Sequence, residues 1–409
     1  MTAQDYKAPE SVSRLEKRAL VVGVIGVIGC ILGWVSSPET FFRSYLVGFL
    51  AVLGLSLGSL GLLMLQHLTG GHWGIVIRRP LESATRVLWL VAGFFIPLIF
   101  GMKYLYTTHI VGGETRIGWL DAPKYPAEGG LSLMQGWWLT QSGVLGRAAL
   151  YFVIWIGLAL LFNSLSAQQD INKEDRKLRA RIKFFAGPGI ILYVFAMSFA
   201  AIDWAMSLSP HWASTIYGFM FVAGQCISAM SLMILVMVMF SYSEPFSRFI
   251  QQRHLHDLGK LLFAFNMLWA YFSFSQLLII WSGNLPEEIT FYHQRLQGGW
   301  GVVAVGVLVL HFFLPFLVLL SHDVKRNRRL IPIVAGWMIA MRVLDIFWLT
   351  QPEFLRSPFA KLDALLWDLA AILGLGGLWF WFFAMQLKQR PLLPLGDPKL
   401  QEAIANNDH

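Results

Sequence analysis

Ten stretches of about 20 mostly apolar residues set the terms for this chain of 409 residues. They run over 19–35, 44–66, 84–106, 144–166, 184–207, 213–240, 261–282, 299–320, 330–350 and 364–386. A helix satisfies its backbone N–H and C=O groups internally, so each stretch reads as a transmembrane helix. The stretches 44–66, 213–240 and 261–282 contain no Asp, Glu, Lys or Arg, which suits helices surrounded by other helices. Only 14% of all residues are charged, against roughly a quarter in a soluble protein. The expected fold class is therefore all-α and integral to a membrane. It has three parts: a cytoplasmic N-terminal segment (1–18), a ten-helix transmembrane domain (19–386) with an outer loop at 107–143, and a cytoplasmic tail (387–409). The first apolar run follows a polar segment and precedes many more, so it reads as a retained helix rather than a cleaved signal.

The distribution of positive charge orients the chain. Of the 32 Lys and Arg residues, 22 fall in the N-terminus, the linkers 67–83, 167–183, 241–260 and 321–330, and the tail; six fall in the opposite linkers. Positive linkers stay inside, which places both termini in the cytoplasm. The same asymmetry accounts for the net charge of +8 without nucleic acid. Trp34, Trp137, Trp138, Trp212, Trp281, Trp300 and Trp348 fall at the outer ends of spans, where indoles favour the headgroup level. Gly23, Gly26, Gly29 and Gly33 on the first helix, and Gly54 and Gly58 on the second, predict close helix contacts.

Cofactor signatures are missing from the sequence. Its two cysteines cannot supply an iron–sulfur cluster, and it has no C-x-x-C-H, P-loop or dinucleotide fingerprint. Only His311 lies deep in a span, so facing histidines for a b haem are not offered. No cofactor bound by this chain is expected.

Charges at lipid depth are costly and mark sites or structural pairs. Asp203 lies in the outer half of helix five with no basic neighbour on its own helix, so it must be protonated or hydrogen-bonded. Arg342 and Asp345 lie three residues apart on helix nine, either a neutralising pair or part of a path. Asp368 lies on helix ten with Asp363 at its mouth. Lys103 near the outer end of helix three reads as a snorkelling side chain. Glu82 and Arg86 read as an inner-surface salt bridge. His311 is either a satisfied core histidine or a proton-carrying group. Asn266, Ser273 and Gln276 share one face of helix seven. Asp203, Asp345, Asp368, Arg342, His311, Lys103 and Gln276 are thus the candidates for a proton path. Loop 107–143 reads as a docking surface for an outer subunit or as a lid over the protein's own helices. The tail after Arg390 is expected to be poorly ordered.

Two stretches carry a resemblance. One runs from Gln66-His67 through Trp73-Gly74 into Ile77-Arg78-Arg79-Pro80-Leu81-Glu82; the other is Asp203-Trp204-Ala205-Met206-Ser207-Leu208-Ser209-Pro210-His211-Trp212. Together they resemble the membrane subunits of alternative complex III, within the polysulfide-reductase-type (NrfD-like) anchors, and the first stretch is closer to the smaller of the two anchor subunits. The resemblance marks His67, Trp73, Arg78, Arg79, Glu82, Trp204, His211 and Trp212 as motif residues. It implies two four-helix bundles, helices two to five and six to nine, flanked by helices one and ten. It also implies a bacterial inner-membrane quinol:electron-acceptor oxidoreductase, to which this chain contributes without being catalytic alone. Implied partners are a second NrfD-like anchor, an iron–sulfur protein, multihaem and monohaem c-type cytochromes, small membrane subunits, a terminal oxidase and membrane lipid. Quinol, c-type haem and iron–sulfur clusters are expected elsewhere in that complex. Quinone-handling members carry a D/H-L-G-R/K-P-like segment where this chain reads His67-Leu68-Thr69-Gly70-Gly71, which points quinol oxidation to the sister anchor. The alternatives are an independent secondary transporter and a purely structural anchor.

Overall fold

The computed structural model describes residues 6–122, 133–172, 175–359 and 362–397, less the side chains of 72, 133, 134, 362 and 363. Among these residues ten helices are long and apolar enough to cross a membrane. They are α1 (Glu10–Ser36), α2 (Pro38–Thr69), α3 (Arg78–Leu105), α4 (Gln141–Ile171), α5 (Arg176–Leu208), α6 (Tyr217–Phe240), α7 (Gln252–Gly283), α8 (Trp300–Leu320), α9 (Ile331–Glu353) and α10 (Ala364–Lys388). Each contains or closely matches one of the ten apolar stretches. Several outrun the apolar core: α1 begins at Glu10, and α5 starts at a cap in which the Asp175 carboxylate accepts from the backbone N–H of Lys177 and Leu178.

Two helices form the centre. The apolar windows of α2 and α6 are 94% and 89% buried inside the protein, whereas no other window exceeds 44%. Both correspond to charge-free stretches, 44–66 and 213–240. They pack on each other; α2 also packs on α3, α5 and α10, and α6 on α5, α7 and α9. The helix α7, whose stretch 261–282 is also charge-free, lies at the periphery against α6 and α8. Lipid is as apolar as leucine, so close backbone approach has to supply the association. On α2, a side chain at Gly58 would run into the backbone of Gln225 on α6.

The α1 glycines meet α10. A Cβ at Gly26 would collide with the backbone of Gly374, and one at Gly23 would stand 2.7 Å from the N of Leu378. Gly29 faces Ala370 and Gly33 faces the Trp367 ring. Helices one and ten are thus joined along a seam that has no room for side chains.

One end of the molecule, the tail face, holds the N-terminal segment, the linkers after α2, α6 and α8, and the chain beyond α10. Here the structure corrects an expectation. The tail after Arg390 is packed as far as Asp397: Leu392 and Leu393 are buried, the Leu392 N–H donates to the Tyr6 carbonyl (2.9 Å), and Asp397 accepts from Arg78 Nη1 at 3.1 Å. Pro391 and Pro394 bracket two leucines that find a core. Residues 398–409 lie outside the described residues.

The opposite end, the hairpin face, carries two short antiparallel strands, β1 (His109–Val111) and β2 (Glu114–Arg116). Gly112 and Gly113 close the turn with φ of 64° and 89°, values that disfavour any residue with a Cβ. The hairpin lies on the chain's own α9–α10 connection. Arg116 donates to the Pro352 carbonyl and the His109 ring is edge-on to Phe354, 5.5 Å away. The described part of loop 107–143 therefore covers the protein's own helices; 123–132, in its middle, lie outside the described residues. A second correction concerns the tryptophans. Trp34, Trp137 and Trp281 are exposed, but Trp212 and Trp300 are only 3% and 1% exposed. The helix Pro286–Leu296 contributes to this cover, with Phe291 stacked on Trp212 at 3.9 Å.

The seam makes a sharp prediction. Gly26→Leu should destabilise the purified protein by about 1–3 kcal/mol through overpacking. Gly93→Leu, where nothing lies within 4 Å, should leave the melting temperature in detergent unchanged.

Candidate functional site

Three polar constellations are built inside the apolar frame. The first holds Asp203 at the hairpin-face end of α5. Arg147 of α4 forks onto it, Nε to Oδ2 and Nη2 to Oδ1, both at 2.8 Å. Trp138 Nε1 donates to Oδ1 and Tyr151 OH to Oδ2, each also at 2.8 Å. The Arg147 guanidinium lies 4.0 Å over the Trp138 ring. Four donors occupy the two oxygens, two of them from one charged guanidinium fork. The basic residues of α5 all lie at its far end, Arg176 to Lys183, and the neighbouring helix supplies the partner of Asp203. With its lone pairs engaged, it ties α4 to α5 and leaves no oxygen free to take a travelling proton.

The second constellation runs through α6, α7, α8 and α9. Asp345 is fully buried; its Oδ2 accepts from Arg342 and from Trp269 Nε1 (3.1 Å), and its Oδ1 has no partner. The Trp269 ring lies 4.2 Å from the His311 ring, and neither nitrogen of His311 is bonded. His311 sits in a π-helical segment, Val307–Phe313, inside α8. Such turns re-space the backbone acceptors, and here the Phe312 carbonyl takes Asn266 Nδ2 of α7 at 3.4 Å. Arg342 crosses toward α6, where its guanidinium stands 5.3 Å over the Phe221 ring. Gly224 makes the room, because a Cβ there would collide with the guanidinium.

Tyr217 continues the row. Its ring is 5.3 Å from Phe221 and 6.3 Å from Phe291, and Phe291 carries Arg295 over its face at 3.5 Å. The Tyr217 hydroxyl is buried with no partner. Arg295 then pairs with Glu353 at 3.0 Å, and Glu353 also accepts from Ser209 and lies 3.9 Å from Arg116 of the hairpin. The row thus leads from Asn266 through His311, Trp269, Asp345, Arg342 and Tyr217 to the ion pair beneath the hairpin. Asp345 Oδ1, both His311 nitrogens, Asn266 Oδ1 and the Tyr217 hydroxyl are all orphaned. A buried polar group without a partner costs about 1–3 kcal/mol, so several along one row require internal water or a function.

The third constellation closes the tail face. Glu82 is fully buried and accepts from Arg78 Nε (3.2 Å), Arg79 Nη1 (2.6 Å) and Ser166 OH (2.5 Å). Arg79 also reaches Asp170, and Arg78 reaches Gln169 and Asp397. The expected Glu82–Arg86 bridge does not form. Arg86 turns to Asn163, Gln386 and Gln389 instead, because Glu82 faces the two arginines that precede it. His67 stacks on Phe162 at 5.7 Å.

The remaining candidates lie apart. Asp368 on α10 accepts from Ser44 of α2, and its Oδ1 is orphaned. The side chain of Asp363 lies outside the described residues. Gln276 bonds Ser214 (3.1 Å) and Tyr292 (3.4 Å) near the hairpin face. Lys103 is exposed, its amine 4.9 Å from the Tyr104 ring centre. Among the motif residues, Trp73 is half-buried, Trp204 fills an aromatic core with Phe49, Phe95 and Trp155, Trp212 is buried on Phe291, and His211 is exposed. Among the described residues no group of three His, Cys, Asp or Glu is placed to hold a metal.

Comparison with protein-family models and with curated proteins finds no match, so geometry carries the functional reading. Sequence reasoning missed Trp269, Tyr217, Arg295 and Glu353. Trp269 shares the α7 face of Asn266, Ser273 and Gln276, a readable signal. Arg295 and Glu353 stand outside the ten apolar stretches, and only tertiary folding brings them into line.

Two measurements probe these environments. Tyr151→Phe, which removes a donor from Asp203, should cost about 1–2 kcal/mol of stability. Tyr217→Phe, which deletes a hydroxyl bonded to nothing, should leave the melting temperature unchanged or raise it. His109 lies in the hairpin, outside the spans. Burial first, and then the charge of Arg43, hold its imidazole below the ordinary value of 6.5. The depressed value means that its contribution to stability is complete above about 6.5 and is lost as the pH falls through the folded value. Amide exchange of 109–116, corrected for intrinsic rate, should therefore quicken relative to the rest of the protein on acidification. His109→Gln should flatten that dependence.

Proposed function

We propose that this chain is a membrane subunit of a respiratory quinol-oxidising complex of the alternative-complex-III type. In this reading it lies in the bacterial inner membrane with the tail face toward the cytoplasm. Helices α2–α5 and α6–α9 form two four-helix bundles, and the joined pair α1 and α10 flanks them. The hairpin face anchors the outer redox subunits, and the row through α6–α9 supplies part of a transmembrane proton path. Quinol oxidation is assigned to the sister anchor, since the segment after α2 lacks the quinone-handling pattern.

The observation that carries the reading is the line of orphaned polar groups at lipid depth. An inert anchor has no use for a bare carboxylate oxygen, an unbonded imidazole and an unbonded phenol in one row. A proton carrier needs groups that can both accept and donate, linked by water. Asp345 is fully buried with Arg342 and Trp269 on Oδ2 and Oδ1 open to a water-borne proton. The Asp203 motif supports the reading from the other bundle, where it fixes α4 against α5 as a rigid frame.

The experiment is recovery of the tagged protein from native membranes in mild detergent, with haem staining and mass spectrometry. Co-purification of multihaem c-type cytochrome, an iron–sulfur protein and a second ten-span subunit is the expected result. A stable, lone, haem-free protein would overturn the reading and favour a secondary transporter.

A further inference from the structure

On the tail face, outside the network around Glu82, a cavity of about 220 Å³ opens between α3 and α4. Its walls are of two kinds. Leu88, Trp89, Ile156 and Leu160 make an apolar groove, with Trp89 and Leu160 59% and 53% exposed toward the lipid side. Above the groove stand two guanidiniums, Arg86 and Arg390, close enough to repel each other. Among the described residues neither has a carboxylate of its own. Arg86 is bonded only to the neutral oxygens of Asn163, Gln386 and Gln389, and its Nη2 is buried with no partner. Arg390 donates to the Asn163 carbonyl at 3.3 Å and lies 4.0 Å from Glu82, a carboxylate already taken by Arg78 and Arg79.

Two like charges beside an orphaned guanidinium N–H lack a counter-anion. The place where they lack it is the headgroup depth of a membrane span, with an exposed apolar groove directly below. We propose that this cavity binds an anionic phospholipid, its phosphodiester bridging Arg86 and Arg390 and an acyl chain lying along Trp89, Ile156 and Leu160. A phosphate oxygen would accept from the guanidiniums of Arg86 and Arg390 that line the cavity, and the fork geometry of guanidinium suits a tetrahedral oxyanion. The expected preference is for phosphatidylglycerol or cardiolipin over zwitterionic lipid, as at basic pockets between helices on a cytoplasmic surface.

The chemistry of the anion could be met by free phosphate, and the groove decides for a lipid. The test is native mass spectrometry of the protein, with any subunits that accompany it, in micelles doped with phosphatidylglycerol or phosphatidylcholine. Phosphatidylglycerol should be retained selectively, and Arg390→Gln should weaken it about tenfold, the loss of roughly one charge-assisted contact. Arg390 is one-third exposed at a helix end, so that variant should fold. As a second probe, Leu160→Trp should fill the groove and displace the lipid while leaving both arginines in place. Equal retention of the two lipids, or unchanged phosphatidylglycerol binding in both variants, would overturn the proposal. Displacement of the lipid by millimolar inorganic phosphate, with Leu160→Trp without effect, would also overturn it by making the site one for a free anion.

Discussion

A charge in hydrocarbon has to find its counter-charge inside the protein, and the way this chain meets that demand organises the rest of it. Asp203 of α5 is held by Arg147 of α4, Glu82 of α3 by arginines that also reach α4 and the tail, and Glu353 of α9 by Arg295 from the connection between α7 and α8. Most of these pairs join elements that the apolar pattern alone leaves free to slide or rotate. Leucine on lipid and leucine on leucine are nearly equivalent, so polar ties and close glycine contacts supply the register.

The two devices divide the molecule. Small residues join α1 to α10 and α2 to α6, where backbones approach too closely for side chains. Ion pairs close the two ends, with the Glu82 network on the tail face and the Glu353 cluster beneath the hairpin. Between them lies a row through α6–α9 in which a carboxylate oxygen, an imidazole and a phenol are without partners among the described residues. A bundle that pairs Asp203 with four donors is capable of pairing Asp345 as fully. In this row Asp345 keeps one carboxylate oxygen unbonded, whereas both oxygens of Asp203 and of Glu82 accept hydrogen bonds.

The ten helices were legible because the need for backbone satisfaction writes them as runs of apolar residues. The glycine seam was legible for a similar reason: a repeat of small residues on α1 has few other uses. Partnerships were not. Nothing in the sequence of α5 indicates that Arg147 stands opposite Asp203, and the Glu82–Arg86 spacing suggested a bridge that Arg78 and Arg79 pre-empt. His311 was visible as a deep histidine, yet its neighbours Trp269 and Asp345 come from two other helices. Trp212 and Trp300 sit at span ends as expected, but Phe291 of a helix folded over one end covers Trp212, and Phe347 and the Leu355 carbonyl take Trp300. The tail looked unstructured because the partners of its described part, Tyr6 and the start of α3, are remote in sequence.

The central claim is that the row through Asp345 carries protons, and the most direct measurement is the proton-to-electron ratio of the purified, reconstituted complex. The account predicts that Asp345→Asn and Tyr217→Phe complexes keep their subunits and their electron transfer from quinol but lose most of the coupled proton movement, while Lys103→Gln, outside the row, retains it. An unaltered ratio in both row variants would contradict the account and leave the chain as an anchor.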